Sequence, residues 1–160
     1  MTTATVTKIF TLQMGHRLPN HNGKCRNLHG HSYSVEVSVA GNVQEEPGSS
    51  QGMVVDFNAL KAAWIDVDAQ LDHRMLLWEK DPLWQFRDAE EEGHTSTLAD
   101  FGAIDFPMMP TAENIARYIF DMLEGWLDKT TVWPLGTPAF TVHQVKVWET
   151  ATSWAAYSGE

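Results

Sequence analysis

Residues 25 to 33, C-R-N-L-H-G-H-S-Y, place a cysteine and two histidines within a short stretch. Side chains alternate between the two faces of a β-strand, so His29 and His31 would lie on one side about 7 Å apart. His16 ends another alternating segment and shares the parity of its apolar residues. One semi-buried histidine alone is more often a hydrogen-bonded core residue, but the shared parity favours a metal. Three imidazoles suit Zn²⁺ and leave a coordination position open for water or substrate.

Cys25 is the only cysteine, and two roles are open to it. As a fourth ligand it would close the coordination shell and make the zinc structural. As a free thiol beside the metal and the basic Lys24 and Arg26, it would instead transfer protons. The local sequence does not choose between a noncatalytic zinc module and a catalytic centre.

Three further places carry groups capable of acid–base or binding chemistry. Asp72 can orient the adjacent His73 and stabilise its charged form, although a solvated helix end is the commoner reading of such a dipeptide. Glu149 shares a strand face with two valines, where a carboxylate needs a donor such as a ligand unless the strand end is solvated. Glu113 falls in the first turn of a predicted helix, where the helix dipole alone accounts for an acidic residue.

The elements that must position these residues follow from hydrophobic periodicity. Alternation predicts strands at 6–16, 31–39, 140–149 and 153–157. Recurrence every three or four residues predicts one helix that begins at Phe57 after the cap Asp56 and ends near Leu71, and a second helix after the cap Thr111. The predicted apolar stripes are Phe57, Leu60, Trp64, Val67 and Leu71, then Ile115, Ile119, Met122 and Trp126. The order β-β-α-α-β-β indicates an α+β fold with an antiparallel sheet and both helices on one face.

Length and composition bound the protein as a whole. The 160 residues suit a single domain, 1–160, in which a long connector at about 78–110 forms a surface excursion. The net charge of −10 argues against binding to nucleic acid or anionic membranes, and no apolar run approaches the ~20 residues of a membrane span. The first residues show no secretory signal and one cysteine excludes an internal disulfide, so a cytoplasmic address is expected.

Several motifs, in order along the chain, resemble one known family. They are F-T-L-Q-M-G-H-R-L, K-C-R-N-L-H-G-H-S-Y, D-F-N-A-L-K, L-D-H-R, P-T-A-E-N and V-K-V-W-E-T-A-T-S. Together they resemble the 6-pyruvoyl-tetrahydropterin synthase and 6-carboxy-tetrahydropterin synthase family over roughly residues 8–157, the connector excepted. The resemblance implies a T-fold (tunnelling fold), in which antiparallel sheets of several subunits join into a barrel, commonly a homohexamer built as a dimer of trimers.

The resemblance also implies roles for individual residues by matched position. The implied zinc ligands are His16, His29 and His31. The implied catalytic residues are the thiol Cys25 and the proton-handling pair Asp72 and His73, the pair being supplied across a subunit interface. The implied pterin anchor is Glu149, with Glu113 as a weaker substrate contact.

The product is the least constrained part of what the resemblance implies. The C-X-X-L-H-G-H-S-Y form of the motif is more similar to the bacterial 6-carboxy-5,6,7,8-tetrahydropterin synthases of queuosine biosynthesis, which act on 7,8-dihydroneopterin triphosphate. The alternative is a 6-pyruvoyl product formed without carbon loss. A triphosphate needs local cations in so acidic a chain, and Arg17, Lys24 and Arg26 are the candidates.

Overall fold

A computed structural model describes residues 2–86, 97–129 and 140–159. The strands are β1 (Thr3–His16), β2 (His29–Asn42), β3 (Met75–Trp78), β4 (Ala103–Phe106), β5 (Phe140–Thr150) and β6 (Ser153–Tyr157). The helices are α1 (Phe57–Leu71) and α2 (Ala112–Lys129). The four predicted strands and both helices are therefore present, and the structure adds β3 just before the connector and β4 within it. Residues 87–96 of that connector lie outside the described residues.

The six strands form one sheet in the order β4-β3-β1-β2-β5-β6. The pairs β1–β2, β2–β5 and β5–β6 are antiparallel, whereas β3 runs parallel to both β1 and β4. The prediction of a purely antiparallel sheet is therefore wrong. A parallel neighbour needs a crossover connection, and α1 before β3 and the connector before β4 supply the required length.

The long pair β1–β2 organises the core and the histidines. Its register runs without interruption from Thr3 opposite Asn42 to His16 opposite His29. The face predicted to be apolar is buried, and its fully buried members are Leu12, Tyr33, Val35, Val37 and Val39. Burying each such side chain contributes about 1.5 to 3 kcal/mol, so a one-residue slip of this register would be very costly.

Both helices pack against this sheet through their apolar sides. α1 begins and ends as predicted, and the Asp56 carboxylate accepts from the backbone N–H of Asn58 at 2.8 Å. Its first stripe residue differs from the prediction, because Phe57 is 48% exposed beside the ammonium of Lys8. No helix within the described ranges is long and apolar enough to cross a membrane.

The buried face of α2 differs slightly from the predicted apolar stripe. Ile115 and Ile119 are buried as predicted, together with Phe120 and Leu123. Met122 and Trp126 are only partly buried, because they line a groove between the two helices. The hydroxyl of Thr111 accepts from the backbone N–H of Asn114 at 3.4 Å, in keeping with its predicted role as the cap.

Candidate metal centre and active site

The three predicted ligands converge at the end of the β1–β2 pair. His16 is directly opposite His29, and His31 is opposite Met14, two residues before His16. Their potential ligand nitrogens all lie within 4.8 Å of one another. His16 is fully buried, whereas His29 and His31 are half-buried. The period of two residues therefore brings the three rings together as predicted.

Hydrogen bonds to backbone carbonyls orient two of these rings. His16 Nδ1 lies 2.7 Å from the carbonyl oxygen of Pro110, and His29 Nδ1 lies 2.8 Å from that of Asn27. A carbonyl oxygen can only accept, so Nδ1 carries the proton in both rings and the Nε2 lone pair remains available. Histidines that bind metals typically donate their other ring N–H to a carbonyl or carboxylate in this way.

The cluster contains buried ring nitrogens that a bound ligand could satisfy. The Nε2 atoms of His16 and His31 are buried without a hydrogen-bond partner among the described residues. Burial also lowers the pKa of His16, against the opposing influence of the Pro110 carbonyl and Glu149, and this favours the neutral imidazole that binds metals. Neutral nitrogen donors without a thiolate fit Zn²⁺, so the residues present suit the group that the sequence predicts.

Two further side chains adjoin the cluster, and only one was predicted. The Glu149 carboxylate lies 3.6 Å from His31 Nε2, which is ion-pair range but longer than a hydrogen bond. Tyr33 packs its buried ring against His16 and His31, with centroids 6.0 and 5.5 Å away. Burial raises the pKa of Tyr33, so its hydroxyl stays protonated. In the H-G-H-S-Y motif, Tyr33 has the same parity as His29 and His31, which places it on this face. Because an aromatic residue on an apolar face is typical of the core, Tyr33 was not predicted to belong to the site.

Cys25 lies on a short 3-10 turn, Lys24–Arg26, that precedes β2 in the chain. Its residue is half-buried and its backbone carbonyl accepts from the N–H of Leu18 at 2.8 Å. Among the described residues, the group able to hold a metal consists of the three histidines and does not include this thiol. The closed zinc module is therefore not formed by Cys25 in this structure.

Asp72 and His73 form a hydrogen-bonded pair directly after α1. Asp72 Oδ2 accepts from His73 Nδ1 at 2.6 Å, while Asp72 Oδ1 accepts from the backbone N–H of Gln13 at 2.8 Å. His73 has a left-handed backbone (φ 57°), which turns its ring back towards the preceding carboxylate and which few non-glycine residues adopt. The two side chains therefore form the orienting contact that the dipeptide made possible, at a helix end that is still partly exposed.

The Asp72 carboxylate is held in its charged form and the His73 ring is accessible. The Gln13 N–H and then the His73 ring hold the pKa of Asp72 below its usual range. The His73 side chain is 78% exposed. Neither residue belongs to the histidine cluster, and an exposed imidazole is what a group supplied to a neighbouring subunit needs. Glu113 is likewise exposed, in the first turn of α2.

Comparison with known proteins identifies the family to which the chain belongs. The family model for 6-pyruvoyl tetrahydropterin synthase matches residues 5–160. The chain belongs to the 6-pyruvoyl tetrahydropterin synthase family. It is therefore a member of a family of lyases that act on pterins.

Curated relatives within the family carry a more specific name. The 6-carboxy-5,6,7,8-tetrahydropterin synthase of Haemophilus influenzae is 31% identical over 159 residues, covering 95% of this chain and 96% of the relative. The synthase of the same name from Synechocystis is 38% identical over 152 residues, covering 94% and 89%.

Solved structures of the family share the fold. An uncharacterized Wolinella succinogenes protein matches with a TM-score of 0.75 at 25% identity, covering all of both chains. The 6-pyruvoyl tetrahydropterin synthase of Caenorhabditis elegans matches with a TM-score of 0.64 at 25% identity, covering 100% of this chain and 98% of the other. The mixed six-stranded sheet with two helices is therefore a 6-pyruvoyl tetrahydropterin synthase fold, of the T-fold type predicted from the motifs.

Proposed function

We propose that the protein is a zinc-dependent 6-carboxy-5,6,7,8-tetrahydropterin synthase of queuosine biosynthesis. The reaction takes 7,8-dihydroneopterin triphosphate and water to 6-carboxy-tetrahydropterin, acetaldehyde and triphosphate. The names of relatives at 31% and 38% identity support this choice of product. The observation that carries the proposal is the cluster of His16, His29 and His31, which converges without a thiol among its possible ligands and leaves Cys25 free.

His16, His29 and His31 are the proposed zinc ligands. Two of them present Nε2 because their Nδ1 protons are held by backbone carbonyls. When bound, Zn²⁺ supplies Lewis-acid polarisation of a substrate oxygen. Burial of His16 keeps bulk water from competing for this side of the site.

Cys25 and His73 are the proposed proton carriers. Cys25 would take a proton from the substrate side chain and His73 Nε2 would exchange protons with its hydroxyl, in the tautomerisation that precedes loss of triphosphate. Asp72 holds the other nitrogen of His73 at 2.6 Å, which fixes the tautomer and stabilises the imidazolium. Addition of water to the carbonyl carbon attached to the pterin ring, followed by cleavage of its bond to the next carbon, then leaves a carboxylate at the pterin 6-position. The two-carbon fragment takes up a proton and leaves as acetaldehyde.

Glu149 is the proposed anchor of the pterin ring. Its carboxylate lies beside the cluster, where it can accept from a ring N–H and the amino group. Glu113 is the proposed secondary substrate contact. We further propose that the enzyme is a homohexamer whose active sites combine residues of two subunits, because His73 is exposed and lies outside the histidine cluster.

Zinc-loaded protein incubated with 7,8-dihydroneopterin triphosphate tests this proposal. We expect mass spectrometry to detect a carboxypterin and acetaldehyde. The 6-pyruvoyl product, kept open by the name of the family model, would appear as loss of triphosphate without loss of carbon.

Variants of two residues separate catalysis from metal binding. Cys25→Ala is expected to retain zinc and to lose turnover by about a hundredfold or more, the usual worth of a proton carrier. His143→Ala, which removes an exposed histidine of β5, serves as the control with unchanged turnover. Loss of zinc from Cys25→Ala would contradict the catalytic assignment and favour the closed zinc module.

A further inference from the structure

Asp81 is a buried carboxylate that the sequence patterns did not single out. Its side chain is 0% exposed, and a buried charge is costly unless it is paired. Its Oδ1 accepts from the backbone N–H of Leu83 at 2.8 Å. Its Oδ2 lies 3.1 Å from Arg17 Nε, in ion-pair range although not aligned as a hydrogen bond. A buried ion pair therefore joins the connector to the residue after His16.

Arg17 is the first residue after the end of β1. Strand pairing of β1 ends at His16, opposite His29 on one side and Leu76 on the other. From this point each of three successive residues is tied to a different segment. His16 Nδ1 donates to Pro110, Arg17 pairs with Asp81, and the Leu18 N–H donates to the carbonyl of Cys25.

These three ties connect the groups on which the proposed chemistry depends. A shift of Arg17 moves the Leu18 N–H that holds the Cys25 turn, and it moves the backbone of the His16 ligand on its other side. The Arg17 side chain is only 17% exposed, and its Nε is buried. Attraction between charges is strong in such surroundings and holds the two side chains at one separation.

We propose that Asp81, acting through Arg17, is a positioning residue that sets the Cys25 turn relative to the histidine cluster. The inference rests on the proposed function in that it takes these groups to be the thiol and the metal ligands of one site. It also commits Arg17 to Asp81, in place of the triphosphate contact that its sequence position suggested. Lys24 and Arg26 remain exposed beside Cys25.

Single variants test the role of the pair. Asp81→Asn keeps volume and an acceptor for the Leu83 N–H but removes the charge, and Arg17→Met removes the partner charge. We expect each to weaken zinc binding, measured by competition with a chromophoric chelator, by about tenfold, as for other outer-shell partners of metal ligands. We also expect a changed visible spectrum of the cobalt-substituted protein and a changed alkylation rate of the single thiol.

A matched control uses a partly buried ion pair of the sheet, Lys146 with Glu36 at 3.3 Å. Glu36→Gln is expected to leave the zinc affinity and the cobalt spectrum unchanged, because this pair lies on the opposite face of β2 from His31. Unchanged zinc affinity, cobalt spectrum and thiol reactivity in Asp81→Asn would overturn the inference.

The double variant Arg17→Met/Asp81→Leu separates positioning from stability. Replacing a buried ion pair by apolar residues generally recovers the stability that either single change loses. We expect the thermal midpoint to recover while the zinc affinity and cobalt spectrum stay altered. Recovery of all three would mean that the pair only stabilises the fold, and would overturn the inference. Failure of the proposed function is a separate result, in which the wild-type zinc protein leaves the pterin triphosphate unchanged.

Discussion

At the scale of single residues, hydrogen bonds stabilise the charged form of the Asp72 carboxylate. The Gln13 N–H and the His73 ring both donate to it, and its folded-state pKa lies below its unfolded value as a result. A carboxylate with a lowered pKa stabilises the folded state at pH values above its unfolded pKa of about 3.9. That contribution disappears as the pH falls through the folded-state pKa.

Asp72→Asn therefore has a predicted dependence on pH. At pH 7 the substitution should lower the free energy of unfolding by about 0.5 to 1 kcal/mol, a value reduced by partial exposure of the group. The difference from the wild type should narrow as the pH falls below about 4. Asp72 then becomes protonated in the unfolded chain and, at lower pH, in the folded protein as well. Urea denaturation at a series of pH values measures both effects.

Asp100 offers a matched carboxylate for this experiment. Its pKa is also lowered, by hydrogen bonds from the backbone and side chain of Thr97, but it belongs to the connector. Asp100→Asn should leave turnover unchanged, whereas Asp72→Asn should reduce it because His73 loses its charged partner. Equal turnover in the two variants would remove Asp72 from the proton-handling group.

At the scale of the elements, a pair of glycines lets β1 and β2 approach where they carry the ligands. Gly15 is directly opposite Gly30, between the pairs His16–His29 and Met14–His31. A Cβ at position 30 would lie 2.9 Å from the backbone oxygen of Met14. A Cβ at position 15 would meet chiefly the flexible end of Met75.

This difference predicts unequal effects of alanine at the two positions. Gly30→Ala must separate the strands, and should lower the free energy of unfolding by about 1 to 3 kcal/mol and weaken zinc binding. Gly15→Ala should cost less in both measurements, because the Met75 thioether can move aside. Chemical denaturation and zinc titration of the two variants provide the comparison, and an equal or larger loss in Gly15→Ala would refute it.

The same strands show what periodicity can and cannot predict. Alternation over residues 6–16 and 31–39, within the longer strands β1 and β2, predicted that His16, His29 and His31 share the apolar face. The strands M-L-L-W, just before the connector, and A-I-D-F, within it, have only four residues each and no alternation. Their parallel pairing depends on contacts distant in sequence, so neither strand was predicted. Asp81 was missed for the same reason, because only the folded connector brings it to Arg17.

At the scale of the whole molecule, β4 and β6 are the outer strands of the sheet that the described residues form. Among these residues each has one strand neighbour, and β6 carries a half-exposed Trp154. Unpaired edges are sites where another chain can add its strands. The family resemblance implies assembly of this kind, and an assembly could bring the exposed His73 of one chain to the histidine cluster of another.

Mixing two inactive variants tests whether subunits share active sites. Cys25→Ala and His73→Ala should each be inactive, but random mixed oligomers should regain about a quarter of wild-type activity, since one site in four combines the intact residue of each parent. Activity would be measured after unfolding and refolding the variants together. Sedimentation confirms that the mixture has the wild-type mass, and each variant refolded alone is the control. If both residues of a site came from one chain, no mixed oligomer would contain an intact site, and activity would stay at the level of the parents.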